Sequence, residues 1–211
     1  MQPTNLNREQ ILTHMSALLL DRQTRVLIGI VGKPGAGKST LSAYLLQELK
    51  SSEVTVVPMD GYHLSNAVLQ ELGRADRKGA PDTFDVAGFA SLLQRIRAEK
   101  SVDIYYPVFD RSIEESIAAQ GVVTQETRVV IVEGNYLLHD TGGWEAIADL
   151  LDEIWFIDVD DEKRLERLIA RHIAYGKSPE AAKSWSRGSD EVNARTIAAG
   201  SSRAHAVITL D

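Results

Sequence analysis

Residues Val26 to Ser39 read VLIGIVGKPGAGKS, and this stretch decides the fold. Val26–Val31 is a continuous apolar run, the pattern of a strand buried on both faces in a parallel sheet. Gly32-Lys33-Pro34-Gly35-Ala36-Gly37-Lys38-Ser39 then matches G-x-x-x-x-G-K-[S/T], placed after a buried strand and before a helical pattern, where its mechanism requires it. The glycines let backbone N–H groups turn inward around phosphate oxygens. The helix beginning near Lys38 adds its positive dipole end. Lys38 can reach the β- and γ-phosphates, and the Ser39 hydroxyl is a candidate Mg²⁺ ligand. The expected nucleotide-binding segment is therefore Gly32, Lys33, Pro34, Gly35, Ala36, Gly37, Lys38, Ser39 and Thr40, with Lys33 expected to be exposed.

Outward from the loop, Leu41, Leu45 and Leu49 predict a helix over Lys38–Lys50, and Val54–Val57 predicts a second strand. Asn7–Leu20 reads as an amphipathic helix ahead of the first strand, within an N-terminal segment 1–22. Ser65–Leu72 predicts a short helix stopped by Gly73, and Asp85 a cap for a helix running to about Glu99. Val102–Tyr106, Arg128–Val132, Ile154–Val159 and Ala206–Leu210 are strand-like, whereas Ile113–Gly121 is weakly patterned. Trp144–Leu151 and Asp161–Tyr175 read as helices, Ser178-Pro179-Glu180 starts another, and Ser189-Asp190 starts a last one ending near Gly200. Trp144, Trp155 and Trp185 are read as packing residues, and His172 as one more on an apolar face. Strands alternate with helices, which predicts an α/β chain: a mostly parallel, five-stranded sheet with helices on both faces. No linker divides residues 1–211, so one domain is expected.

Composition narrows the function. The 211 residues are 44% hydrophobic and 25% charged, an ordinary globular mix, and 23 Lys+Arg against 30 Asp+Glu leave a net charge of −7. That balance argues against general nucleic-acid or anionic-membrane binding. The absence of cysteine removes disulfides, thiol nucleophiles and thiolate metal sites. No apolar stretch approaches the roughly 20 residues of a membrane span, and the N-terminus lacks a signal-peptide pattern, so no membrane insertion and a cytoplasmic location are expected.

Two acids stand at predicted strand ends. Asp60 follows Val56-Val57-Pro58-Met59, at the sheet edge that faces the ligand crevice in open parallel sheets. There a carboxylate can accept the proton of an attacking hydroxyl; a turn-forming Asp before Gly61 is the structural alternative. Glu133 follows the RVVIV run and is a candidate to hold Mg²⁺ with Ser39. Arg164, Arg167 and Arg171 share one predicted helix face. They fit either a phosphate-clamping lid over about 160–188 or a solvated face paired with Glu162 and Glu166.

Further segments carry a resemblance. Pro58-Met59-Asp60-Gly61-Tyr62-His63-Leu64, Asn66, Arg77-Lys78-Gly79-Ala80-Pro81-Asp82-Thr83-Phe84-Asp85, Tyr106-Pro107-Val108-Phe109-Asp110-Arg111, Glu133-Gly134-Asn135-Tyr136-Leu137-Leu138 and Ser189-Asp190-x-x-Asn193-Ala194 resemble the P-loop kinases that include bacterial pantothenate kinase, uridine kinase and phosphoribulokinase. They are most similar to proteins described as fructose-transport-system or nucleoside/nucleotide kinases. The resemblance spans nearly all of 26–210 and implies a three-layer P-loop NTPase fold with a helical lid. It implies a phosphotransferase that uses ATP and Mg²⁺ on an alcohol acceptor, with Asp60 as general base, Lys38 and Ser39 as the phosphate-loop pair, Glu133 as the acid after the central strand, and Arg167 and Arg171 as lid arginines. Asp110 matches an acid near the acceptor. The uridine-kinase histidine beyond that acid is missing, since Ile113-Glu114-Glu115 follow, and the pantothenate-kinase acceptor segment is built differently.

The reading at this point is a small-molecule kinase for a sugar-like or nucleoside-like hydroxyl. Its acceptor candidates are Asp60, His63, Lys78, Tyr106, Asp110, Arg111 and Glu133, and its metal candidates Ser39 and Glu133. A uridine- or pantothenate-type kinase and a nucleotide-dependent regulatory ATPase without a small acceptor stand beside it. The expected partner is a small-molecule acceptor, and a homodimer is compatible with the reading.

Overall fold

A computed structural model describes residues 2–20, 22, 24–49 and 53–210. In chain order the elements are β1 (Thr4–Asn7), α1 (Arg8–Leu20), β2 (Val26–Gly32), α2 (Lys38–Glu48), β3 (Val54–Pro58), α3 (Asn66–Glu71), α4 (Val86–Ala98), β4 (Ile104–Asp110), β5 (Glu115–Val123), β6 (Val129–Glu133), α5 (Glu145–Ala148), β7 (Glu153–Asp158), α6 (Asp161–Ala174), α7 (Pro179–Arg187), α8 (Ser189–Ala198) and β8 (Ala206–Thr209). Short 3₁₀ turns lie between them, one of which, Met59–Tyr62, follows β3 directly.

Six strands form one parallel sheet in the order β1-β8-β7-β2-β6-β3. β2 is buried along its whole length, as its apolar run demands. Strand alternation divides the core into two layers. On one face Leu27, Val31, Val130, Val132, Ile154 and Phe156 pack against Phe89, Leu92, Leu93 and Ile96 of α4. On the other Ile28, Ile30, Val129, Ile131, Trp155 and Ile157 pack against Ile11 and Met15 of α1 and Leu41 and Leu45 of α2. Helices thus cover both faces. The chain reverses direction across the sheet at β2, between β6 and β7, and that switch point is where open α/β sheets take their ligands.

The sheet has one strand more than expected. Thr4–Asn7 pairs with β8 and buries Leu6, although TNLN carries little strand propensity. Its partner strand, not its own sequence, makes it extended. The strand expected at Val102–Tyr106 starts at Ile104 and leaves the main sheet. It pairs antiparallel with β5, which comes from the weakly patterned stretch. β5 is fully buried only at Val123, so only part of it needs apolar side chains, and the alternation that would have revealed it is absent. The predicted helix over Lys38–Lys50 ends at Glu48, and Lys50 lies outside the described residues. The helix predicted at Trp144–Leu151 shortens to the single turn of α5.

Helix caps operate as hydrogen bonds, at Asp85 and Ser178 as expected and also at Ser65, where the sequence predicts only a helix start. Ser65 Oγ accepts from Val68 N–H, Asp85 Oδ1 from Gly88 N–H and Ser178 Oγ from Ala181 N–H. No described helix is long and apolar enough to cross a membrane.

Candidate active site

The carboxyl ends of β2, β3 and β6 bring the phosphate loop, Asp60 and Glu133 to one edge. Glu133 lies in register with Ile30 of β2 and Pro58 of β3. Its Oε1 accepts from Ser39 Oγ at 2.6 Å and its Oε2 from Ser42 Oγ at 3.1 Å. Ser42 escaped the sequence reading. Its signal was its place one turn beyond Ser39, on the same face of α2. Lys38 Nζ donates to Gly32 O at 2.8 Å. Burial pulls the Lys38 ammonium down to about 8; Glu133 and Asp60 oppose that shift, and Arg171 and Arg111 assist it. Thr40 sits exposed in the first turn of α2. Lys33, expected to be free at the surface, bonds Asp161 Oδ1 at 2.5 Å.

Gly35 has φ +85°, and a Cβ there would stand 2.6 Å from the carbonyl oxygen of Arg164. The first turns of α6 therefore rest directly on the loop, an approach only glycine permits. Arg164 is fully buried and is bound to Asp161 at 2.9 Å and Glu191 at 2.6 Å. This corrects the expected arginine row: Arg164 ties α6 to α8 beneath the loop, while Arg167 and Arg171 remain exposed. Although the Arg171 side chain reaches solvent, the protein crowded around its guanidinium desolvates it and, with the neighbouring Arg111, lowers its pKa, while Asp190 and Asp60 oppose. His172, expected to be a packing residue, bonds Asp190 at 2.7 Å and makes a second tie from α6 to the start of α8. Trp144 and Trp155 are buried as expected, whereas Trp185 is half-buried with Lys177 4.6 Å over its ring.

Asp60 sits in the 3₁₀ turn after β3, and its Oδ2 accepts from the Arg111 guanidinium at 2.8 Å. A Cβ on Gly61 would come 2.0 Å from Pro107 O, so the β4–β5 hairpin presses on this turn at the bulge between Tyr106 and Val108. His63 Nδ1–H donates to Asp60 O at 2.8 Å, and its ring lies between Phe84 (4.1 Å) and Phe109 (4.7 Å). That burial lowers the pKa of His63. Lys78 Nζ donates to Asn66 Oδ1 at 2.7 Å and Glu114 O at 2.5 Å, 5.1 Å from the Phe109 centroid. The Lys78 loop is anchored from the core: Tyr136 Oη donates to Gly79 O at 2.6 Å and Trp144 Nε1 to Pro81 O at 3.1 Å.

Two acceptor candidates are placed otherwise. Tyr106 is buried; its hydroxyl donates to Val56 O at 2.8 Å and its ring covers Gly121. Asp110 accepts from the backbone N–H and hydroxyl of Ser112, which hold its carboxyl below the usual range and shape the hairpin turn. An open cleft of about 420 Å³ lies beside these residues, lined by Val108, Phe109, Asp110, Arg111, Ser112, Gln120 and Tyr175. Tyr175, at the end of α6, and Phe109 line this cleft, although neither is among the acceptor candidates named from the sequence. An exposed tyrosine after a helix carries no local signal.

A family model, the Phosphoribulokinase / Uridine kinase family, matches residues 27–210. The chain belongs to this family. It is a P-loop kinase, a phosphotransferase with an alcohol group as acceptor. It is similar to "Putative uridine kinase C227.14" of Schizosaccharomyces pombe, 36% identical over 169 residues, covering 75% of this chain and 71% of that one. It is also similar to the uncharacterized protein YggC of Escherichia coli, 32% identical over 210 residues, covering 97% and 86%. Among solved structures it resembles the "putative fructose transport system kinase from Silicibacter sp. TM1040", with TM-score 0.83 and 37% identity over 93% of this chain and 94% of that one. The kinase class and the α/β fold expected from the sequence are both found.

The donor set at Ser39 and Glu133 is all oxygen, and no group of three or more His, Cys, Asp or Glu converges among the described residues. One hydroxyl and one carboxylate cannot cage an ion by themselves. They do fit Mg²⁺, which keeps waters and takes phosphate oxygens as its remaining ligands.

Proposed function

We propose that this kinase transfers the γ-phosphoryl group of ATP to a hydroxyl of a small acceptor, sugar-like or nucleoside-like. One observation supports it above the rest: the phosphate loop, Glu133 and Asp60 reach one crevice from three adjacent parallel strands. Residues 32–40 cradle the phosphates through backbone N–H groups, and the Lys38 ammonium pairs with the β- and γ-oxygens. Ser39 and Glu133 would hold Mg²⁺, which supplies charge neutralisation of the phosphates. Ser42 keeps the Glu133 carboxylate oriented. Asp60 takes the proton of the acceptor hydroxyl as that oxygen bonds the γ-phosphorus. The bond from the γ-phosphorus to its bridging oxygen breaks, and ADP leaves with the electron pair. Arg167 and Arg171 act from a lid formed by α6 and α7, where they balance charge on the transferring group and exclude water. His63, Lys78 and Arg111 surround the acceptor, Asp110 shapes the hairpin turn beside it, and Tyr106 supports the hairpin over it.

The test is ATP consumption with Mg²⁺ across sugars, ribonucleosides, pantothenate and polyols. Asp60→Asn should bind ATP normally and lose about 10²–10⁴-fold in turnover. Unchanged turnover removes Asp60 from the base role. Hydrolysis that no acceptor stimulates removes the kinase reading in favour of a regulatory ATPase.

A further inference from the structure

Two cations line the acceptor side, and their surroundings specify what they await. Lys78 and Arg111 stand 5.1 Å and 5.9 Å from the centroid of the same Phe109 ring. The Lys78 ammonium is bonded only to neutral oxygens, the Asn66 amide and the Glu114 carbonyl. No carboxylate among the described residues lies within ion-pair distance of it. The nearby acids are otherwise engaged: Glu115 accepts from Asn66 N–H, Asp110 holds Ser112, and the Glu114 side chain is exposed. Burial lowers the Lys78 pKa, with Glu114 and Glu115 opposing. Ser116 stands opposite Phe109 on β5, on the same hairpin face, and its buried hydroxyl has no partner among the described residues. Arg111, for its part, occupies Asp60, the carboxylate that must receive the acceptor's proton.

A neutral acceptor would have to compete with the Arg111–Asp60 ion pair and would leave Lys78 unneutralised. An acceptor bearing its own anion solves both problems. It supplies the charge that Lys78 lacks and gives Arg111 a second partner, so that Asp60 turns to the hydroxyl. We propose that the substrate is a hydroxylated anion whose carboxylate or phosphate docks between Lys78 and Arg111, exchanging Arg111 away from Asp60. This rests on the acceptor-kinase reading above and narrows it from sugar-like or nucleoside-like molecules in general to their acidic members. Guanidinium and ammonium groups beside an aromatic wall suit an oxyanion, and the hydroxyl left over is the one phosphorylated.

The test uses matched pairs: glycerate and glycerol, gluconate and glucitol, fructose 6-phosphate and fructose, uridine 5′-monophosphate and uridine. Binding of each is measured by calorimetry, and ATP consumption in parallel. At least one anionic member should bind tenfold or more tightly than its neutral partner; carboxylate and phosphate pairs identify which anion is meant. Lys78→Gln and Arg111→Gln should each collapse that preference, whereas Lys78→Arg keeps it, with melting temperature as the check on folding. Equal binding of both members, binding of neither in every pair, or a preference that survives both glutamine variants overturns the proposal. Tight anion binding without ATP consumption upholds the anion site and sinks the kinase-acceptor reading. Stimulation by neutral members alone does the reverse.

Discussion

The two halves of the crevice are built in opposite ways. The nucleotide half is a contiguous motif, residues 32–40, set on the fully buried central strand and backed by apolar layers on both faces. The half proposed for the acceptor is assembled from four separated segments: the turn at Asp60, the Lys78 loop, the β4–β5 hairpin and the end of α6. Most of its side chains are half-buried or exposed. The contrast shows where a kinase fold is constrained and where it is free. Phosphate geometry is the same for every substrate and sits on rigid strands, while acceptor choice sits on a hairpin and loops that can vary without disturbing the sheet.

Two glycine substitutions would break that comparison most sharply. Gly35→Ala places a Cβ on the Arg164 carbonyl in a left-handed backbone, where the ion pairs of buried Arg164 hold the start of α6 against the loop. It should cost about 2–3 kcal/mol, a fall of roughly 4–12 °C in Tm, and weaken ATP binding. Gly61→Ala would drive its Cβ to 2.0 Å from the Pro107 carbonyl oxygen, in a hairpin that buried Tyr106 ties to β3, so the loss of stability should be at least as large. Its effect should appear in the acceptor KM, with the ATP dissociation constant unchanged. Melting curves and both constants decide; a Gly61→Ala variant that weakens ATP binding instead would join the two halves.

The Lys38 ammonium gives an effect of intermediate size. Its pKa is lowered from 10.5 to about 8, so it loses its proton as pH rises through about 8. Folding favours the neutral form, and this group therefore lowers stability below about 8, an effect that fades between there and 10.5. Phosphate favours the charged form, so above pH 8 ATP binding takes up a proton and its dissociation constant rises about tenfold per pH unit. Calorimetry in buffers of different ionisation enthalpy measures that proton; a constant that stays flat from pH 7 to roughly 9.5 excludes it. The smallest effect is expected from Tyr106→Phe, which orphans the Val56 carbonyl. It should cost about 1 kcal/mol and leave both KM values unchanged. A raised acceptor KM would return Tyr106 to the acceptor pocket.

Much of this was legible in the residues. The apolar run at Val26–Val31, the strand–loop–helix setting of Gly32 to Ser39, and the caps at Asp85 and Ser178 are local, and each is found in the structure where expected. Asp60 and Glu133 stand at one edge, as expected, because strand ends in a parallel sheet share it. What escaped depended on neighbours distant in sequence. Thr4–Asn7 is a strand because β8 offers it a partner. Arg164 looked like part of a solvent-facing row until Glu191, 27 residues on, and the phosphate loop enclosed it. Tyr106 looked polar enough for a pocket, yet the Val56 carbonyl claims its hydroxyl.

The sequence by itself determined five of the six strands of the main sheet, the phosphate-loop motif and the kinase class, because strand periodicity and loop chemistry are properties of consecutive residues. Only the tertiary structure decided the acceptor side. There the charge balance among Lys78, Arg111 and Asp60 depends on through-space distances between segments that the chain keeps far apart, and no pattern of neighbours along it encodes such distances.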